Sequence, residues 1–317
     1  MIRVLHLDEN HHSLVDGLAA LGIENAHNIS ASKAEIEQDI ANYDGIVLRS
    51  RFPIDRSFLA HAKKLKFIAR VGSGLENIDL SAAHDLGIQV IAAPEGNSPA
   101  VGEHAIGMLL SLFNRLPQAN QEVRAGIWQR EENRGEELSG KTIGIIGYGH
   151  TGKQFAKKLA GFDVTVLCHD IKTNMTDSFA TQVSLEVLMQ QADVISLHLP
   201  LNKQTHGYIN TSFINGVQKP FWLINTARGN QVVSKDLVTG LKNGKIIGAC
   251  LDVLDVESSS FDVNQQNSPE WSYLIKQQNV LLSPHVAGWS RQSHVKLSNV
   301  IVSKIKALIE KGCFKET

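Results

Sequence analysis

The chain has 317 residues, 43% of them hydrophobic and 20% charged, with a formal net charge of −1. Such a length predicts two domains, each large enough to bury its own core. The near-neutral balance, without a basic stripe, argues against nucleic acid or an anionic membrane as partner, and no apolar run reaches the roughly 20 residues of a membrane span.

The N-terminus, Met1 to Asp8, is too short an apolar stretch for a secretory signal and reads as a first strand. Residues 1–95 then alternate apolar runs with polar-faced helices: Arg3–Leu7, Leu14–Leu21, Tyr43–Leu48, Arg56–Ala62, Lys66–Val71, Leu80–Leu86 and Gln89–Ala92. This alternation predicts a parallel sheet covered by helices. Arg49-Ser50-Arg51 follows one strand and Val71-Gly72-Ser73-Gly74 the next, so both loops fall where open α/β sheets place ligands. The glycines would expose backbone N–H groups able to hold a carboxylate. An ordinary turn and a surface arginine pair are the plain alternative.

At Asn97-Ser98-Pro99 the pattern changes: Ser98 caps, Pro99 suits a first helical turn, and an apolar stretch runs from Val101 to Leu116. The charge-rich segment 118–137 carries Trp128, an aromatic anchor for a partner subunit or for the protein's own second domain.

The clearest motif spans residues 141–170. The apolar run Ile143–Ile146 ends in Gly147-Tyr148-Gly149-His150-Thr151-Gly152, a helical stretch follows, and a second strand ends at Asp170, 18 residues beyond Gly152. In a dinucleotide site Gly147 makes the tight turn, Gly149 admits the pyrophosphate, and Gly152 lets helix and strand pack. The helix N-terminus faces the phosphates, and Asp170 accepts from the ribose hydroxyls, which favours NAD over NADP. A glycine trio alone would be only a loop; strand, helix and acid in this order make it a site. Further strands are expected at 192–200, 220–225, 245–252 and 279–285, each run ending at a polar or charged edge, before a helix over 290–311 that crosses back to the first domain. The three cysteines (Cys168, Cys250, Cys313) are scattered, which suggests reduced thiols and a cytoplasmic protein, and no cluster has metal-ligand spacing.

Three of those strand edges carry Arg228, Glu257 and His285. With Gly72–Asp79, Gly147–Gly152, Asn225-Thr226-Ala227-Arg228-Gly229, Leu251-Asp252-Val253 and Ser283-Pro284-His285-Val286-Ala287-Gly288, the chain resembles the D-isomer-specific 2-hydroxyacid dehydrogenases, in particular the D-3-phosphoglycerate dehydrogenase-like group, over essentially its whole length. The resemblance implies two doubly wound parallel-sheet domains, a flavodoxin-like substrate domain (1–97 and 288–317) and a Rossmann NAD-binding domain (98–287), with an interdomain cleft that closes by hinge motion near Asn97 and Ala287. It makes Arg228, Glu257 and His285 the catalytic three, and it puts Thr226, Ala227 and Asp252 at the cofactor, with Asp252 on the nicotinamide carboxamide. The substrate falls to Arg49, Ser50, Arg51, Val71, Gly72, Ser73, Gly74 and Asn97. It also implies a homodimer.

The chemistry asks for the same residue types. Oxidation of a 2-hydroxy acid removes a hydroxyl proton as hydride leaves the same carbon; histidine exchanges the proton, a carboxylate steadies the imidazolium, and arginine forks onto the substrate carboxylate. A core histidine, a solvated glutamate and a surface arginine are the bland readings of each residue singly. The preferred substrate is 3-phosphoglycerate, in serine biosynthesis, with glyoxylate or hydroxypyruvate reduction as runner-up. An NAD(H)-sensing regulatory protein is the alternative from another class. Glu257 stands where formate enzymes have glutamine, which argues against formate; phosphite oxidation on the same scaffold is disfavoured less strongly. Three departures stand out: Ser258 replaces the usual proline after the glutamate, a Ser/Asn/Gln-rich insert runs to about Asn267, and His104 stands where relatives commonly have an apolar or small residue. With the chain ending at Thr317, no C-terminal serine-sensing domain is expected.

Overall fold

The computed structural model describes residues 1–257 and 268–314, so the insert that begins at Ser258 lies outside the described residues. The backbone divides into two compact units, Met1–Asn97 together with the segment from Trp289 onward, and Ser98–Gly288.

The first unit alternates β1 (Arg3–His6), α1 (His12–Ala20), β2 (Glu24–His27), α2 (Lys33–Asp39), β3 (Gly45–Leu48), α3 (Arg56–His61), β4 (Phe67–Arg70), α4 (Leu80–Asp85) and β5 (Gln89–Ala92). The strands pair in parallel in the order β2-β1-β3-β4-β5, the flavodoxin-like arrangement. β3 shows why central strands read as unbroken apolar runs. Ile46 and Leu48 face a core with Leu5, Leu7 and Ile68, while Val47 faces another with Val4, Phe67 and Ala69. The edge strand β2, Glu-Asn-Ala-His, has no aliphatic signal and escaped the sequence reading; register with β1 makes it a strand.

Helix α5 (Pro94–Phe113) begins five residues before the expected Pro99, which lies inside it. Proline at 99 deletes only the bond to the Glu95 carbonyl. Lys304 meanwhile anchors the start by donating to the Ala92 carbonyl at 2.8 Å and pairing with Glu95 at 2.9 Å. Arg115, in a left-handed conformation (φ 49°), breaks the apolar stretch into α5 and α6 (Leu116–Arg124). The arm beyond α6 leaves Trp128 77% exposed in the single chain, with Val123 and Ile127 also at the surface.

The second unit continues with β6 (Thr142–Ile146), α7 (His150–Leu159), β7 (Thr165–His169), β8 (Thr181–Gln182), α8 (Leu185–Gln191), β9 (Val194–Leu197), α9 (Thr211–Gly216), β10 (Phe221–Asn225), α10 (Ser234–Lys242), β11 (Ile246–Leu251), α11 (Pro269–Leu274) and β12 (Val280–Leu282). Its parallel sheet has the order β12-β11-β10-β9-β6-β7-β8. The order reverses between β6 and β9, and ligands of open sheets bind outside the carboxyl ends at such a reversal. Helix α12 (Arg291–Glu310) returns to the first unit and buries Leu297, Ile301 and Ile305 against Leu14 and Leu18. Among the described residues no helix is long and apolar enough to cross a membrane.

Candidate active site

All strands of the second sheet run the same way, so their carboxyl ends share one edge. The loop after β6 lies at the reversal. Gly147 has φ 91°, which disfavours any side chain, and a Cβ there would lie 2.6 Å from the His198 carbonyl oxygen. A Cβ on Gly152 would lie 2.2 Å from the Gly147 carbonyl oxygen, so helix α7 meets the strand backbone directly. Gly149 caps α7, and His150 and Thr151 form its first turn. At the end of β7 the Asp170 carboxylate accepts from the backbone N–H of Tyr148 at 2.7 Å and of Lys172 at 2.9 Å. The acid thereby ties the glycine loop to the neighbouring strand edge. The Tyr148 ring is wholly buried, and its hydroxyl donates to Asp177 at 2.8 Å, so at this position the loop offers a cofactor its backbone. Burial, then that hydrogen bond, pushes the phenol pKa well above its usual value.

The edge of β10 is shaped by Asn225, itself fully buried. Its carbonyl oxygen accepts from Ala227 N and its amide donates to the Arg228 carbonyl at 2.9 Å. The resulting turn is packed hard: a Cβ on Gly229 would lie 2.0 Å from Leu254 backbone. Arg228 is thus set beside the segment that carries Glu257. There Glu257 Oε1 accepts from Leu254 N at 2.6 Å, and its Oε2 lies 2.7 Å from His285 Nδ1. A carboxylate only accepts, so Nδ1 carries the proton toward it and Nε2 is the acceptor nitrogen of the neutral ring. His285 itself sits in the left-handed region (φ 55°), a conformation that surrounding bonds must hold.

Asp252 is largely engaged by the protein itself. It is 1% exposed, and its oxygens accept from Ser283 Oγ at 2.6 Å, Val286 N at 2.9 Å and Ala287 N at 2.8 Å. A carboxylate has about four acceptor sites, so at most one remains for a carboxamide.

The glycine loop fits a dinucleotide, since a Cβ on Gly149 would meet no protein atom within 4 Å and the backbone there is open to a ligand, and the buried Thr226 hydroxyl, with no partner among the described residues, adds a polar group at the same edge. Other buried groups at or near the sheet edge are neutral. His198 has its pKa pushed down to about 3 by burial, and burial raises Cys168 to about 11.

In the first unit the two predicted loops follow β3 and β4. Arg49 is half-buried and stacks on Trp289, 4.1 Å from the ring centroid. Among the described residues no acceptor takes a hydrogen bond from its guanidinium; burial lowers its pKa, with Asp8 opposing. A cavity beside it is lined by Asn10, His11, Val71 and His294. The Arg51 guanidinium donates to the carbonyls of Leu7, Asn28 and Ala31, so it braces the loops. Val71 and Gly72 are buried, Ser50 and Gly74 partly exposed, and Ser73 Oγ donates to Asn97 Oδ1 at 2.6 Å. Arg70 was missed; its guanidinium occupies the space a Cβ on Gly72 would need.

A glycine loop at a sheet reversal, an acid at the next strand and a carboxylate-paired histidine together define a dinucleotide-binding α/β protein. Residues 106–287 match the family model for the D-isomer specific 2-hydroxyacid dehydrogenase, NAD binding domain. The hydroxypyruvate reductase of Thermotoga maritima is 32% identical over 86% of this chain and 87% of its own. The D-3-phosphoglycerate dehydrogenase of Archaeoglobus fulgidus is 32% identical over 96% of this chain. This chain spans 56% of the length of that relative. Among solved structures, a D-2-hydroxyisocaproate dehydrogenase superposes with TM-score 0.82 at 25% identity, covering 100% of this chain and 98% of that one. A D-lactate dehydrogenase from Aquifex aeolicus, complexed with NAD and lactic acid, superposes at 0.80 with 26% identity, covering 98% and 96%. The chain belongs to the D-isomer specific 2-hydroxyacid dehydrogenase family.

Proposed function

We propose that this protein is an NAD-dependent oxidoreductase that interconverts D-2-hydroxy acids and 2-oxo acids, with 3-phosphoglycerate, oxidised to 3-phosphohydroxypyruvate in serine biosynthesis, as preferred substrate. The observation that carries the reading is the 2.7 Å contact between His285 Nδ1 and Glu257. It leaves Nε2 to take the proton from the substrate hydroxyl during oxidation and to return it to the carbonyl oxygen during reduction. Glu257 offsets the charge that the imidazole gains. Arg228 forks onto the substrate carboxylate and polarises the adjacent carbonyl. NAD(H), when bound, supplies or accepts the hydride; Gly147, Gly149 and Gly152 hold its pyrophosphate and Asp170 its ribose.

The phosphate is assigned to Arg49, whose half-buried guanidinium stacks on Trp289 without an acceptor among the described residues. The hydroxypyruvate reductase reading has its own support. Arg51 is committed to carbonyls, which leaves fewer of the expected loop's donors for a phosphate, and the Thermotoga maritima relative is matched over most of its length. We assign the exposed arm around Trp128 to contact with a second copy.

A panel of 2-hydroxy and 2-oxo acids, with and without phosphate, against NAD(H) and NADP(H) tests the proposal. A preference for 3-phosphohydroxypyruvate over hydroxypyruvate is expected. Equal or better turnover of the unphosphorylated acid overturns the substrate assignment. Full activity in His285→Ala overturns the proton transfer.

A further inference from the structure

The proton-exchanging histidine is gripped on two sides. Glu257 holds its ring, whereas Asp252 holds its backbone: the Asp252 carbonyl accepts from His285 N at 2.8 Å, and the carboxylate accepts from the next two amides. The left-handed His285 backbone is therefore held by Asp252, through its carbonyl at residue 285 and its buried carboxylate at 286 and 287.

That carboxylate has a support of its own. Ser283 Oγ lies 2.6 Å from Asp252 Oδ1 and 2.9 Å from His104 Nε2, and His104 Nε2 is 3.5 Å from Oδ1. A serine hydroxyl has a single proton. The carboxylate takes it in preference to the Met108 sulfur at 3.6 Å. His104 Nε2 must then be the donor to Ser283 Oγ. Among the described residues His104 is also the one basic side chain within 4 Å of Asp252. Burial raises the Asp252 pKa, but the His104 ring 3.5 Å away, the Ser283 hydroxyl and the two amides outweigh it and hold the group ionised.

We propose that His104, on α5, is a positioning residue for His285, acting through Ser283 and Asp252 to hold the 285–287 turn in the geometry that proton exchange requires. This rests on the assignment of His285 as the proton-exchanging group. The chain His104–Ser283–Asp252 touches neither Glu257 nor the glycine loop in any contact described above, so its loss should disturb the chemical step and leave cofactor binding intact.

The test compares His104→Leu with His104→Gln, whose amide nitrogen replaces Nε2 as donor. For His104→Leu, kcat is expected to fall by about 10- to 100-fold, the cost of a misplacement of order 1 Å, with KM for NADH and for the 2-oxo acid within about twofold of wild type. His104→Gln should recover most of the loss. Ring ¹⁵N shifts of His285 in histidine-labelled protein should move in the Leu variant and return in the Gln variant, a readout that needs no turnover. Inactive wild-type protein would refute the proposed activity, with the ring shifts still deciding the positioning role. Unchanged kcat and unchanged His285 shifts in His104→Leu would overturn the inference. So would parallel loss of kcat, NADH affinity and melting temperature without rescue by Gln, which marks a structural role only. Should the Leu variant fail to fold, Ser283→Ala removes the same link with a smaller change and is judged by the same criteria.

Discussion

Replacing Glu257 by glutamine removes one charge while keeping the side chain's shape, and the structure says why the amide cannot substitute. Both carboxylate oxygens accept, one from Leu254 N at 2.6 Å and one from His285 Nδ1 at 2.7 Å. Glutamine has one acceptor. If its oxygen serves Leu254, its NH2 faces Nδ1 and forces the proton onto Nε2, the wrong tautomer for accepting a substrate proton. In the flipped rotamer NH2 faces the Leu254 N–H, donor against donor. One charge-assisted bond is lost either way, about 1.5–3 kcal/mol. The attraction between imidazolium and carboxylate disappears as well, about 4 kcal/mol for centres roughly 4 Å apart at an effective dielectric near 20. These terms overlap, so about 3–4 kcal/mol is the net expectation, equivalent to a 100- to 1000-fold fall in kcat/KM. Steady-state kinetics with the best 2-oxo acid, alongside NADH titration by fluorescence, measures it. A fall below about threefold, or a fall that tracks lost NADH affinity, would refute the assigned pairing.

Gly152→Ala places a methyl 2.2 Å from the Gly147 carbonyl oxygen, backbone that cannot give way; about 1–3 kcal/mol of stability should be lost, with at least tenfold weaker NADH binding by fluorescence titration. Arg51→Ala strips three carbonyls of their donor and should lower stability in urea melts by about 2–3 kcal/mol with little change in substrate KM. Arg49→Leu should do the reverse, raising KM for the phosphorylated acid at unchanged stability. Burial depresses His198 to about 3 and, against a weaker pull from Asn25, His6 to about 4. Their folded values lie below the unfolded value near 6.5, so this stability is complete above pH 6.5 and is lost as pH falls toward 4. By pH 5 each costs about 2 kcal/mol, and urea melts at pH 7 and 5 should show the loss, reduced by about half in His198→Gln.

Much of the fold was legible because a parallel sheet covered on both faces demands apolar runs, and runs such as Ile143–Ile146 and Phe221–Asn225 announce themselves. The glycine loop was equally legible, since Gly147 and Gly152 stand where backbone meets backbone and no other residue fits. Where a strand is held only by its neighbour, as with β2, or where a helix starts on tertiary contacts, as α5 does near Lys304, local sequence carried no signal.

The same division runs through the site. The resemblance of the ordered motifs singled out Arg228, Glu257 and His285, and proton and hydride chemistry asks for the same imidazole, carboxylate and guanidinium whatever the fold. What the sequence left open for Tyr148, Asp252 and Arg51 is which way a polar side chain turns and which partner it meets. Tyr148 finds Asp177, Asp252 finds the amides after His285, and Arg51 finds three carbonyls up to 44 residues away. A hydrogen bond is decided within about 3 Å, and only the folded chain brings donor and acceptor that close. Composition and spacing therefore determined which chemistry is available here, and tertiary packing decided which polar groups face a ligand and which brace the structure around it.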